Sequence, residues 1–359
     1  MNFFTIKKQD WILNGSILFL AIASLLSLAS SRQPLFLQQL VWYVLGIGAM
    51  YVVAQLDWRP LINYPRLIHS LYLGSILLLG ATYLFAPRIR GIKGWLVLGP
   101  WQFQTSEVAK LALIIILSSF WAKAHIQIAR LGNVARSLVY FVIPTFLVLL
   151  QPDMGTALIL FGIWFGYLLV SGIKWKHLLA AGGLFVITGF ILWLYALAPY
   201  QKDRIIGLFY PERDPLGINY NVIQSKIAIG SADWFGKGFG QGTQVRLGFL
   251  PEPETDFIFS AFVEEWGLTG GLLVVAAFIL VLIRISIAGL QSDNNFSRMF
   301  CLGIVMMFLL HFLINIGSAL GFLPVIGIPF PFLSYGGSNL LTSLVAIGII
   351  QGIIVRSQF

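Results

Sequence analysis

Charge is scarce in this sequence. Lysine and arginine supply 23 of 359 residues and aspartate and glutamate 14, so 10% is charged, against about a quarter in soluble domains. With 58% hydrophobic residues, that excludes an ordinary soluble chain. Cysteine is scarcer still: the single Cys301, inside an apolar run, excludes an intrachain disulfide. Four histidines (His69, His125, His177 and His311) are scattered, and there is no zinc-spaced His/Cys cluster, P-loop or nucleotide fingerprint. A serine–histidine hydrolase and a cytosolic nucleotide-driven pump both lose ground. The net charge of +9 is dispersed between apolar runs, which fits membrane orientation and lipid headgroups better than nucleic acid.

Long apolar runs are what the chain has instead. They lie near 12–30, 35–56, 67–86, 105–122, 137–151, 155–173, 178–198, 258–283, 300–322 and 336–355. A bilayer core is crossed by about 20 apolar residues whose backbone bonds are satisfied internally, and the alternation of a barrel strand is missing. The fold class expected is an all-α polytopic integral membrane protein of about ten transmembrane helices, a single transmembrane domain over 1–359. No small-residue cleavage site follows the first run, so it reads as a retained helix. With the N-terminus inside, the inside loops collect Lys7, Lys8, Arg59, Arg66, Lys123, Arg130, Arg136, Lys174, Lys176, Arg284, Arg298 and Arg356. The short outside turns hold only Arg32, which places both termini in the cytoplasm. The outside loop 87–104 breaks this pattern with Arg88, Arg90 and Lys93, and invites a functional reading.

Residues 199–257, between helices seven and eight, become a large extracytoplasmic loop. Ile218, Val222, Ile223 and Ile227 recur at helical spacing and predict a short amphipathic helix on the outer membrane face. GKGFGQGTQ (236–244) follows as irregular backbone. LGFLPEPETDFIFSAFVEE (247–265) then concentrates five carboxylates, Glu252, Glu254, Asp256, Glu264 and Glu265. Pro251 and Pro253 exclude regular helix ahead of Thr255. Thr255 or Asp256 is placed to cap the helix opening FIFSAF, where the dipole favours a carboxylate anion. Asp256 is then either a capping aspartate or a base able to take a proton from a sugar hydroxyl; spacing alone leaves both open. Glu264 and Glu265 lie two turns deeper and need a partner or a wet cavity, with a structural ion pair slightly favoured. Glu252 and Glu254 read as solvated bystanders.

Glu107 and Lys110, in QTSEVAK, share a helix face and can pair. A packing pair and a direct substrate contact stand about equal. Asp153, in QPDMGTA, is either a turn cap or a second acid in a site shared with Asp256. In PFPFLSYGGSN (329–339), Ser334 or Ser338 is placed to cap the last helix, and amides near Gly336 and Gly337 could hold a phosphate. Paired glycines in membrane helices are more often packing devices.

Five blocks occur in order across nearly the whole chain: RGIKGWLVLGPWQFQTSEVAK, LLQPDMGTA, NYNVIQSKIAIGSADWFGKGFGQGTQ, LPEPETDFIFSAFVEEWG and NIGSALGFLPVIGIPFPFLSYGGSN. Together they resemble the SEDS family of bacteria (shape, elongation, division and sporulation proteins), its rod-shape branch more than its division branch. The resemblance implies a peptidoglycan glycosyltransferase of the bacterial cytoplasmic (inner) membrane, polymerising lipid II on the outer face during cell elongation. Its implied partners are a class B penicillin-binding protein (a transpeptidase) and other elongation-complex membrane proteins. It carries an essential aspartate onto Asp256, an acid–lysine pair onto Glu107 and Lys110, and a Gln-Pro-Asp aspartate onto Asp153. Thr105 stands where the family commonly has proline. Gly94 stands where it often has arginine, which passes any phosphate contact there to Lys93 or Arg90.

Transfer from a polyprenyl pyrophosphate needs a base for the acceptor 4-hydroxyl and neutralisation of the leaving group. Asp256 is the base expected. Lys110, Arg88, Arg90, Lys93 and Arg204 are candidates for the pyrophosphate charge, with Ser334, Gly336 and Gly337 as supporting contacts. A divalent cation, Mg2+ or Mn2+, bridging carboxylate and pyrophosphate is compatible with this chemistry. Direct attack predicts inversion at the anomeric carbon. Two rivals stand beside it. A lipid II flippase fits the intramembrane Glu107, Lys110, Glu264 and Glu265 but leaves Asp256 unused. A scaffold for the transpeptidase predicts that Asp256 is dispensable.

Overall fold

The computed structural model describes residues 8–89, 91–99, 101–124, 131–170, 175–195, 199–210, 214, 217 and 219–357. Lys7, Arg90, His125, Arg130, Lys174 and Ile218 lie outside them. Asp10 opens α1 (Trp11–Ser31) by accepting from the Leu13 amide, and α2 (Gln33–Ala54) follows with Pro34 in its first turn. A 3-10 turn leads to α3 (Pro65–Phe85). A hairpin of β1 (Trp95–Leu98) and β2 (Trp101–Gln104), with Trp95 opposite Gln104, runs straight into α4 (Thr105–Ala124). The chain continues through α5 (Leu131–Leu150), α6 (Met154–Val170), α7 (Trp175–Tyr195), α8 (Pro199–Phe209) and α9 (Tyr220–Gly230). It ends through α10 (Thr243–Arg246), α11 (Ile258–Gln291), α12 (Asn295–Ala319) and α13 (Gly337–Ser357).

Among the described residues, nine helices are long and apolar enough to cross a membrane, and α6, with 17 residues, is a shorter apolar tenth. Each of the ten expected runs therefore contains a helix among the described residues. The hairpin, α8 and α10 are additions that the apolar pattern does not show. Burial ranks the helices: 83% of the apolar window of α4 and of α13 is enclosed, against 6% for α7. The interior pair is packed by α2 along α13 and by α12 and α3 along α4, while α1 and α12 pack against α11. Small residues set the α2–α13 seam, where a Cβ on Gly348 would lie 2.7 Å from the Met50 carbonyl oxygen. Helix α7 stands at the edge, almost wholly exposed along its length.

Helix α11 is not the continuous rod that its hydropathy suggests. Gly267, at φ 75° and ψ 179°, breaks it. A regular helix would bond the Glu264 and Glu265 carbonyls to the Leu268 and Thr269 amides. Instead those carbonyls accept from Lys237 N (2.9 Å) and Gly238 N (3.0 Å), while Leu268 N and Thr269 N donate to Asp233 O (2.9 Å) and Trp234 O (3.1 Å). The segment 233–238 is thus spliced into the broken helix, and these four freed backbone groups all find partners.

Two local expectations need correction, and a third gains detail. Helix α9 forms as expected, with Ile227 exposed and Ser225 and Ala228 buried. Ser225 bonds Ser260 Oγ (2.7 Å) and the Ala319 carbonyl (2.6 Å), so α9 docks on protein through its small face. Neither Thr255 nor Asp256 caps α11: the N-cap position is Phe257, because residues 252–257 form a turn closed onto the Glu252 carbonyl. Glu254 is buried, its carbonyl accepting from Tyr335 N at 2.8 Å.

Candidate active site

Asp256 is held by its backbone. The Thr255 carbonyl accepts from Ser334 Oγ (2.7 Å), and the Asp256 carbonyl accepts from Asn315 Nδ2 (3.2 Å). The same Asn315 amide donates to the Ile328 carbonyl at 2.9 Å, so α12 ties the Asp256 turn to the segment 328–335. Each bond satisfies a main-chain oxygen and fixes the turn that carries Asp256. Asp256 is partly buried and lines a cavity of about 840 Å³.

The cavity has two characters. Glu107, Lys110, Asp153 and Asp256 supply ionisable walls, joined by Gln104, Ser338 and Asn339. Phe141 and Phe146 of α5, Phe161 of α6, and Ala181, Leu184 and Phe185 of α7 supply an apolar arm. Four acids and bases predicted from three separate sequence blocks therefore share one space. Lys110, 1% exposed, sits 2.9 Å from both carboxylate oxygens of Glu107. Asn339 Nδ2 donates to Glu107 Oε2 at 3.2 Å. Asp153, in the turn between α5 and α6, accepts from Thr156 N (2.9 Å), Thr156 Oγ1 (2.7 Å) and Gln104 Nε2 (3.2 Å). It is the turn cap of α6 and also faces the cavity. Burial pushes its carboxyl up from the ordinary value, and the Thr156 bonds offset part of that rise.

The remaining candidates divide. Arg204, on α8, lines the cavity and donates from Nη1 to the Val325 carbonyl at 2.8 Å. Gly336 lines it too, with its amide donating to Gln39 Oε1 at 3.3 Å. Ser334 and Gly337 stand behind the wall. Ser334 Oγ accepts from Phe330 N at 2.9 Å, and Gly337 packs against the Trp42 ring, where a Cβ has no room. Lys93 places its ammonium 5.6 Å from the centre of the Tyr83 ring. Glu264 is an internal anchor: Lys237 Nζ (2.7 Å), Thr243 Oγ1 (3.1 Å) and Gln244 N (3.0 Å) all donate to its Oε1. Among the described residues, no group of three or more His, Cys, Asp or Glu side chains could hold a metal ion.

Two residues that sequence reasoning passed over belong to this framework. His311 lies 3.0 Å from Lys110 Nζ through Nε2, and Asn315, one turn later on α12, holds the Asp256 carbonyl. Their i, i+4 spacing is the signal that was available.

The chain is similar to several known bacterial proteins. A family model described as a cell cycle protein, for FtsW, RodA and SpoVE, matches residues 8–358. The chain belongs to this family. Peptidoglycan glycosyltransferase MrdB of Escherichia coli K12 is 38% identical over 309 residues, covering 86% of this chain and 82% of that protein. Peptidoglycan glycosyltransferase RodA of Treponema pallidum is 31% identical, covering 89% and 90%. Among solved structures, a chain from a peptidoglycan synthase complex that coordinates polymerization and crosslinking matches with TM-score 0.81 and 33% identity over 98% of each chain. The rod shape determining protein RodA of Thermus thermophilus matches with TM-score 0.72 and 28% identity, again over 98% of each.

Proposed function

We propose that this peptidoglycan glycosyltransferase polymerises lipid II by direct displacement, with Asp256 as the general base. The observation that carries the reading is the two-sided cavity: Asp256 and Lys110 at its polar walls, aromatic and aliphatic side chains along its arm. A substrate with a charged, sugar-bearing head and a long hydrocarbon tail matches both parts.

In this reading the Asp256 carboxylate takes the proton of the acceptor 4-hydroxyl as its oxygen bonds to the donor's anomeric carbon. The bond from that carbon to the pyrophosphate breaks, which inverts the centre. Charge grows on the leaving pyrophosphate, and Lys110 and Arg204 are the cavity cations placed to meet it. A divalent cation would rest on Asp256 and the substrate's phosphates, a mode in which magnesium needs few protein ligands. The basic loops support the same orientation as the chemistry, with both termini cytoplasmic and 199–257 on the outer side. The partner proposed is a class B penicillin-binding protein; support comes from the synthase complex to which one similar chain belongs.

A flippase is the second reading, favoured by the buried Glu107–Lys110 pair and the loosely enclosed α7. Proteoliposomes with lipid II confined to the outer leaflet separate the two. Glycan polymer formed there, and lost in Asp256→Asn, supports the enzyme. Lipid movement without polymer supports the flippase.

A further inference from the structure

His311 is a buried titratable group that the mechanism above leaves unused. It is 1% exposed on α12 and is not one of the residues lining the cavity. Its Nδ1 lies 3.1 Å from the Pro329 carbonyl oxygen and its Nε2 lies 3.0 Å from Lys110 Nζ. A carbonyl oxygen can only accept, so Nδ1 carries the hydrogen; an ammonium can only donate, so Nε2 supplies a lone pair. Both neighbours therefore select one neutral tautomer.

The Lys110 ammonium has three donors. Glu107 and His311 hold it from two sides of the network, and the residue still lines the cavity. The identity of the second acceptor matters. Lys110 with Glu107 is neutral overall, and a further carboxylate would make the group net negative and repel a pyrophosphate. A neutral imidazole fixes the ammonium without cancelling more of its charge. Pro329 also lines the cavity, so His311 links Lys110 to the wall on which the substrate would rest.

We propose that His311 is a positioning residue: it holds Lys110 Nζ in place against the cavity and couples it to the segment 326–329. The inference rests on the reading of Lys110 as the group that meets pyrophosphate. A histidine that only filled core space would affect stability and leave turnover per folded molecule unchanged.

The test compares Lys110→Met, His311→Leu and His311→Gln in the full chain, reconstituted with its partner, with lipid II varied and thermal unfolding followed in parallel. Glutamine retains an acceptor for Lys110 and a donor for Pro329. Loss of a preorganised charge partner predicts that Lys110→Met falls by about 100-fold or more, and that His311→Leu loses about tenfold in kcat with KM moved by less than about threefold. His311→Gln should recover kcat to within about threefold of wild type. An inactive Lys110→Met beside a fully active His311→Leu overturns the positioning role alone. So does a folded His311→Gln as slow as His311→Leu. Full activity in Lys110→Met overturns the underlying reading of Lys110 instead. Where His311→Leu does not fold, His311→Gln decides: near-normal kcat supports the role and a tenfold loss overturns it.

Discussion

At the scale of single residues, the polar wall is a set of charges that cannot stand alone. Glu107 and Lys110 are 3% and 1% exposed, so removing one partner leaves the other's charge buried without its opposite. Glu107→Ala should destabilise the protein by about 3–5 kcal/mol, read by unfolding in detergent, because an uncompensated buried charge costs more than the pair contributes. Asp153 is a different case, a buried acid whose folded pKa is raised. The folded state holds that proton more tightly than the unfolded chain. The group's contribution is therefore full below its unfolded value and is lost as pH rises through the folded one. Asp153→Asn keeps an acceptor for Thr156 and should remove this pH dependence, so that melting temperatures at about pH 4, near the unfolded carboxyl value, and at about pH 7.5 lie closer together than in wild type. An unchanged difference would contradict that assignment.

At the scale of elements, the exchange of backbone bonds at Gly267 joins the loop 233–238 to the helix that follows Asp256. A Cβ on Gly267 would meet the Trp234 carbonyl and the amides of Phe235 and Gly236, at a φ that L-residues rarely adopt. Gly267→Ala should cost about 1–3 kcal/mol or more and expose 233–246 to limited proteolysis ahead of global unfolding. The kink explains which features could be read in advance. Ten apolar runs are legible because spanning length and hydropathy are local properties. The break is illegible because its partners lie about thirty residues upstream, and a lone glycine in WGLTGG does not announce them. Helix α9 is half legible for the same reason. Its spacing gives a helix, but docking through Ser225 and Ala228 depends on close approach to Ser260 and Ala319.

At the scale of the whole molecule, sequence blocks far apart converge on one cavity. Glu107, Lys110, Asp153 and Asp256 were readable because a charge in an apolar chain is conspicuous. His311 was harder to read: its i, i+4 spacing to Asn315 is a local sign, but its partner Lys110 lies 201 positions upstream. Lys93 and Ser334 were legible as chemistry but stand beside Tyr83 and behind the wall. Helix α7 contributes to the apolar arm, and the small Ala181 lines it. Ala181→Trp should raise KM for a long-chain lipid II several-fold more than for a short-chain analogue, as measured in parallel polymerisation assays; equal effects would remove the arm from substrate binding. The central claim is that Asp256 does proton chemistry in that cavity. The direct measurement is the initial rate of glycan chain formation from lipid II by Asp256→Asn, with folding matched to wild type and the partner present. A loss of about 10²–10⁴-fold is expected, the usual worth of a general base. A well-folded variant polymerising at the wild-type rate would contradict it.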